Sequence, residues 1–172
     1  MSDTNTYVLN IRLARKSEAQ SLVKLLYDSF LEYKQFYTEK GFRATTLSAL
    51  EVEERIEKNI VWVALHEEVI VGTLSILPST KGMLIKSVAV APTARRRGVG
   101  KALMKHGEEI ARQRQSKCLE LTTTAFLYEA LLLYESFGFE RCGREDLFGT
   151  PLIKMTKILK HTPVLPGFNH LA

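Results

Sequence analysis

MLIKSVAVAPTARRRGVGK, residues Met83 to Lys101, is the stretch on which the fold turns. An apolar run stops at Pro92, three consecutive arginines follow, and two spaced glycines lead into a helical pattern, which reads as a strand, a basic loop and a helix start. Several N–H groups at a helix start have no intrahelical acceptor, and the helix dipole adds partial positive charge there, so the junction suits an anion. Gly98 and Gly100 let the main chain approach that anion without a Cβ in the way, while Arg95, Arg96 and Arg97 add full positive charges around it. A polyanion, most simply a pyrophosphate, is the expected guest.

Two phosphate loops of fixed spacing fail on these residues. A Walker A loop needs a glycine where the chain has Arg95 and a hydroxyl where it has Ala102, and a dinucleotide fingerprint starting at Gly98 needs a third glycine where it has Leu103. The pattern Arg95, Gly98, Gly100, preceded by Val88-Ala89-Val90-x-Pro92, closely resembles the acyl-coenzyme A binding motif of the GNAT superfamily of N-acetyltransferases. A second stretch, Ala130-Leu-Leu-Leu-Tyr134-Glu-Ser-Phe-Gly138-Phe139, resembles that family's helix-ending signature. Ala130 and Tyr134 are i and i+4, hence on one helix face, and Gly138 reads as the stop before a new strand.

The remaining composition bounds the class. With 172 residues, 45% of them hydrophobic, the chain is long enough for one well-buried core, and residues 1–160 are read as one domain followed by a tail at 161–172. No apolar run of about 18 residues and no secretory pattern occurs, so a soluble, cytoplasmic protein without a membrane span is expected. Cys118 and Cys142 offer neither metal spacing nor a disulfide framework, and are read as reduced, mostly buried thiols with no metal. The net charge of +5 is uneven: residues 95–117 hold eight basic against two acidic side chains. A nucleic-acid binder could show that excess, but concentration at a glycine loop favours a compact phosphorylated ligand.

Along the chain, alternation over 7–13 predicts a first strand, and a capping box at Ser17 and Gln20 opens a helix from about Glu18 to Tyr37, broken by Gly41. Ser48 and Glu51 cap a second, polar helix ending near Asn59. Strands follow at 60–65 and 69–77, around a His66-Glu67-Glu68 turn, then at 83–90. A helix over 98–115, a strand over 118–124, the helix 128–137 and strands at 140–147 and 152–159 complete the order. The resemblance implies an α/β (α+β) GNAT fold, a mixed, mostly antiparallel sheet of about seven strands flanked by about four helices. The Pro- and Gly-containing tail is read as mobile, with packing in a homodimer as the alternative.

The resemblance also implies a chemistry in which acetyl-CoA donates an acetyl group directly to an amine. The main chain from Arg96 through Gly98 and Val99 to Lys101 would hold the pyrophosphate. Val88, Ala89 and Val90 would pair with the pantetheine arm and supply an N–H to the thioester carbonyl, Thr124 would add a hydroxyl, and Tyr134 would return a proton to the thiolate. An alkyl amine is neutral for only about one molecule in 2,500 at pH 7, a handicap of roughly 4.6 kcal/mol that a base or pocket must reduce. The strand glutamate frequent in the family is replaced here by Lys86 and Ser87, and its asparagine before the motif alanine is Leu127. Glu67 and Glu68 read as turn charges and His66 as a strand-end residue, leaving Glu32 and Glu39 as distant candidates. The competing readings are an acyl-CoA sensor without efficient turnover and a nucleic-acid-binding domain.

Overall fold

The computed structural model describes residues 7–161. Its frame is a seven-stranded sheet: β1 (Asn10–Leu13), β2 (Val61–His66), β3 (Val69–Pro78), β4 (Met83–Val90), β5 (Cys118–Thr123), β6 (Glu140–Leu147) and β7 (Thr150–Ile158), in the order β1-β2-β3-β4-β5-β7-β6. Only β4 and β5 run parallel; the other neighbours are antiparallel. The β2–β3 hairpin turns on Glu67 (φ 47°) and Glu68 (φ 63°), both left-handed, as a two-residue turn matching the sheet's twist requires.

The two sheet faces carry different helices. Helix α1 (Ala19–Phe30) buries Leu22, Leu25, Leu26 and Phe30, and with α3 (Ala49–Glu57) covers Val61, Val63, Leu65 and Ala89. Helix α4 (Val99–Gln113) lays Leu103, Met104 and Ala111 on the other face, against Leu74, Ile76, Ile85 and Leu119. Leu131 and Tyr134 of α5 (Tyr128–Ser136) join that second cluster. The predicted box at the start of α3 is present: Ser48 N–H donates to Glu51 Oε2 at 2.8 Å and Glu51 N–H to Ser48 Oγ at 3.4 Å.

Four expectations are corrected. The α-helix begun at Ala19 stops at Phe30 and tightens into 3₁₀ turns over Leu31–Phe36. Its entry is fixed by Glu18 instead of the Ser17 box, the carboxylate accepting from Arg15 N–H at 2.7 Å and from Arg12. Gly41 breaks nothing: it lies inside an additional short helix, α2 (Glu39–Thr45), capped by Thr38. A Cβ at Gly41 would stand 2.3 Å from Thr150 Oγ1 and 2.9 Å from Thr38 Oγ1, so glycine here answers to packing against β7. Cys142 is exposed, because β6 is an edge strand whose residues Glu140 to Asp146 are all in solvent on both faces. His161 closes the described chain with Nε2 2.8 Å from the Ser116 carbonyl, and the tail reading for 162–172 lies outside the described residues.

Candidate active site

The site begins where the sheet opens. Strands β4 and β5 pair through three residues only, Met83 with Leu119, Leu84 with Glu120 and Ile85 with Leu121, and separate beyond them. A bulge sits at the point of separation: Thr73 pairs with Ala89 but Ser75 with Lys86, so Leu74 faces both Ser87 and Val88, and Ser87 takes a left-handed φ of 52°. Past the bulge, Ala91 N–H bonds to Val71 O at 2.8 Å. By strand alternation Ala89 also turns its amide groups to β3, while Val88 and Val90 turn theirs into the gap. Ser29 Oγ, 3.0 Å from the Val90 carbonyl, occupies one of them.

At the open end stands the start of α4. Gly98, left-handed at φ 79°, is its N-cap, and no side chain caps it. The first intrahelical bond is Ala102 N–H to Gly98 O at 2.9 Å, so the amides of Val99, Gly100 and Lys101 have no acceptor within the helix. Arg96 is also left-handed, at φ 60°, which winds the loop tightly ahead of these amides. Gly100 allows α5 to approach: a Cβ there would lie 3.1 Å from Leu133 Cδ2.

A cleft of about 600 Å³ joins the gap to the helix start and continues to the far wall built by α3 and β6. Tyr134 lines it with its ring edge-on to Phe139 (centroids 6.2 Å apart), and burial, reinforced by Tyr37, pushes its phenol well above the ordinary value. Burial also pushes Tyr37 up to about 12, against the pull of the neighbouring Thr45 and Thr124 hydroxyls. Both phenols therefore stay protonated across neutral pH. Thr124 Oγ1 is buried and close enough to pull on the Tyr37 phenol but meets no partner at hydrogen-bond geometry among the described residues, so it is a polar atom open to a ligand.

Of the residues singled out from the sequence, Val88, Ala89, Val90, Arg95, Arg96, Gly98, Val99, Gly100, Lys101, Thr124 and Tyr134 line this one cleft. Arg97 does not: its guanidinium lies 5.1 Å over the ring of Tyr7, on the β1 side of the loop. Glu32 bonds to Arg95, and His66 stacks on Tyr7 at 3.8 Å. Lining residues that escaped the sequence reading include Ser29, Tyr37 and Arg55. Arg55 sits in the charged run Glu51-Val-Glu-Glu-Arg-Ile-Glu-Lys, where nothing separates a cleft residue from a solvated helix face.

The fold and motifs have close counterparts. Residues 20–139 match the model of the acetyltransferase (GNAT) family. The uncharacterized N-acetyltransferase YhfO of Bacillus subtilis is 26% identical over 138 residues, covering 77% of this chain and 90% of its own. Among solved structures, a ribosomal-protein-alanine N-acetyltransferase from Brucella melitensis is 28% identical with a TM-score of 0.69 over 87% of this chain and 99% of its own. The PaiA N-acetyltransferase from Thermoplasma acidophilum, solved in complex with coenzyme A, shares the fold at 16% identity and a TM-score of 0.74, covering 88% and 99%.

Proposed function

Because this chain belongs to the acetyltransferase (GNAT) family, we propose that it moves an acetyl group from acetyl-CoA to an amine by direct transfer. The observation that carries the reading is the opened sheet: β4 parts from β5 directly beside three uncapped amides of α4 and the orphaned hydroxyl of Thr124. These residues fit the ligand by chemistry, main-chain donors for a pyrophosphate and free strand amides for an extended arm. When bound, acetyl-CoA supplies a thioester acyl group activated toward amines.

The chain's own residues have distinct tasks. The N–H of Val88 or Val90, turned into the gap and held by the bulge, is a fixed donor for a carbonyl oxygen that gains charge. Tyr134 holds a proton at its hydroxyl in a water-poor position; burial makes the phenol a weaker acid, and it would pass that proton to a thiolate formed beside it only because the same burial raises the thiolate's own proton affinity. Lys86 and Ser87, exposed and half-buried respectively, stand where a strand glutamate would serve as base, so the acceptor's proton leaves through another group, water or a cleft carboxylate such as Glu145 or Asp146. Leu127, at the family's asparagine position, lines the cleft without a side-chain donor, and Thr124 offers the nearest alternative hydroxyl.

Calorimetric titration with coenzyme A, followed by thiol release from acetyl-CoA with a panel of amines, tests this reading. Binding with amine-dependent release is expected. Absence of binding at millimolar coenzyme A overturns the reading, and binding without release to any amine supports the sensor alternative.

A further inference from the structure

We propose that the amine acceptor carries a carboxylate and that Arg55 of α3 is the residue that binds it. The inference rests on the acetyl-transfer reading and names its class of acceptor.

Arg55 reaches the cleft wall from outside the β4–β5 gap. Its stem lies with Leu22, Leu26, Leu47, Val52 and Val61 around a small apolar recess, and its head lines the main cleft. Nη1 donates to Ser87 Oγ at 2.9 Å, which fixes the guanidinium beside the strand bulge, one residue from Val88. Among the described residues no carboxylate lies within ion-pair distance of it, although other arginines of the chain, Arg12, Arg95, Arg96, Arg112 and Arg141, each have one. Burial acts against its charge, opposed only by the more distant Glu51. A guanidinium remains ionised under such pressure, and the nitrogens of Arg55 that do not bond to Ser87 are not sealed off, so they are open for an anion to meet.

Holding Ser87 in place uses one of five N–H donors, so a purely structural role leaves the fork unexplained. The planar fork suits a carboxylate bidentately. Lys86, the next residue on β4, also lines the cleft and has no ion-pair partner among the described residues. The same cleft has acidic lining residues as well: Glu145, which pairs with Lys154 at 3.0 Å, and Asp146, whose Oδ2 accepts from Gly149 N–H at 2.8 Å. Cationic and anionic side chains lining one cleft complement a short skeleton bearing both ammonium and carboxylate. A phosphate would suit the same fork, but its second negative charge is disfavoured in a cleft that Glu145 and Asp146 also line, which favours the carboxylate.

The test uses the full chain with acetyl-CoA and matched acceptors that differ by one carboxylate: L-phenylalanine with phenethylamine, L-leucine with isoamylamine, L-tyrosine with tyramine, and 4-aminobutyrate with propylamine. Phosphoethanolamine forms a separate arm. At least one carboxylated acceptor is expected to exceed its partner by about 10²-fold in kcat/KM, less than the roughly 10⁴-fold of a fully buried polar site because Arg55 is only half-buried. Arg55→Gln should remove that preference through KM, with the plain amine's rate and coenzyme A binding unchanged, and Arg55→Lys should recover part of it. If Arg55→Gln does not fold, Ser87→Ala, which loosens the fork, should raise KM for the carboxylated acceptor alone. Plain amines turned over equally well, a preference for phosphoethanolamine, a preference that survives in the variants, or no turnover of any carboxylated acceptor by protein that binds coenzyme A each overturn the inference. Failure to bind coenzyme A is a separate result and overturns the acetyl-transfer reading beneath it.

Discussion

Arg95 is joined to Glu32: Nη1 pairs with that carboxylate while Nη2 donates to the Ser29 carbonyl at 3.0 Å, so the first arginine of the loop is anchored to the end of α1. Arg96 pairs loosely with Glu129 at 3.4 Å, and Arg97 lies over Tyr7. The three guanidiniums adjacent in sequence therefore leave in three directions. Lys101 and the helix amides remain to meet a polyanion.

This division makes a sign test possible. If Arg95 acts by placing the loop, Arg95→Ala and Glu32→Ala should both weaken coenzyme A binding by about tenfold, the order expected for loss of one charge-assisted hydrogen bond. If its charge acts on the ligand, Glu32→Ala, which unmasks that charge, should tighten binding. Calorimetry separates the two, and the first outcome is expected.

The glycines of the loop should be less replaceable than Arg96, for two different reasons. Gly98 has nothing within 4 Å of an added Cβ but is left-handed, so Gly98→Val meets backbone strain of order 1–2 kcal/mol and tilts the amides behind it. Gly100→Val would press on Leu133 and displace α5. Both should lower coenzyme A affinity more than Arg96→Ala, whose side chain is exposed. Equal affinity in all three would remove the helix start from the site.

Tyr134→Phe keeps a buried ring against Phe139 and removes one hydroxyl, so melting temperature and coenzyme A affinity should hardly change while turnover falls by about 10²- to 10⁴-fold. Because burial raises this phenol, the proton is present at every pH up to the alkaline range, and the wild-type rate should show no loss from its ionisation near neutrality. Full turnover in the variant would mean that water returns the proton.

His106, behind the sheet, should set an acid limit on stability. Its Nε2 is buried without a partner among the described residues, its ring lies 4.4 Å from Trp62, and burial lowers its pKa from 6.5, with Glu109 pulling the other way. The unfolded chain then binds a proton more readily than the folded one, so stability falls as pH drops below about 6.5. The depressed carboxylates Glu18, Glu51 and Glu108 act only below 4.5 and leave that window clear. His106→Phe should flatten denaturant midpoints between pH 7 and 5; an unchanged slope would refute the assignment.

Elements stated by local chemistry were legible in the sequence. The strand, proline and glycine loop of 83–101 and the Ser48–Glu51 box depend on neighbours within a few positions, and the structure has them where expected. Gly41 was misread because its reason lies in Thr150, more than a hundred residues away, and helix-breaking is the only local meaning a glycine offers. Arg97 was misdirected because adjacency in sequence says nothing of rotamer direction around a tightly wound loop. Arg55 was missed because the serine that holds it lies 32 residues on, at a bulge that no local pattern announces.

Three residue pairs between β4 and β5 are all that directly bond the sheet's first four strands to its last three. An extended molecule hydrogen-bonded along Val88–Val90 would continue that seam, so occupancy should be felt as mechanical continuity between two halves. Amide hydrogens of β5 and β7, remote from any pyrophosphate, would then exchange in step with those of β4 when the ligand is present and on their own schedule when it is not.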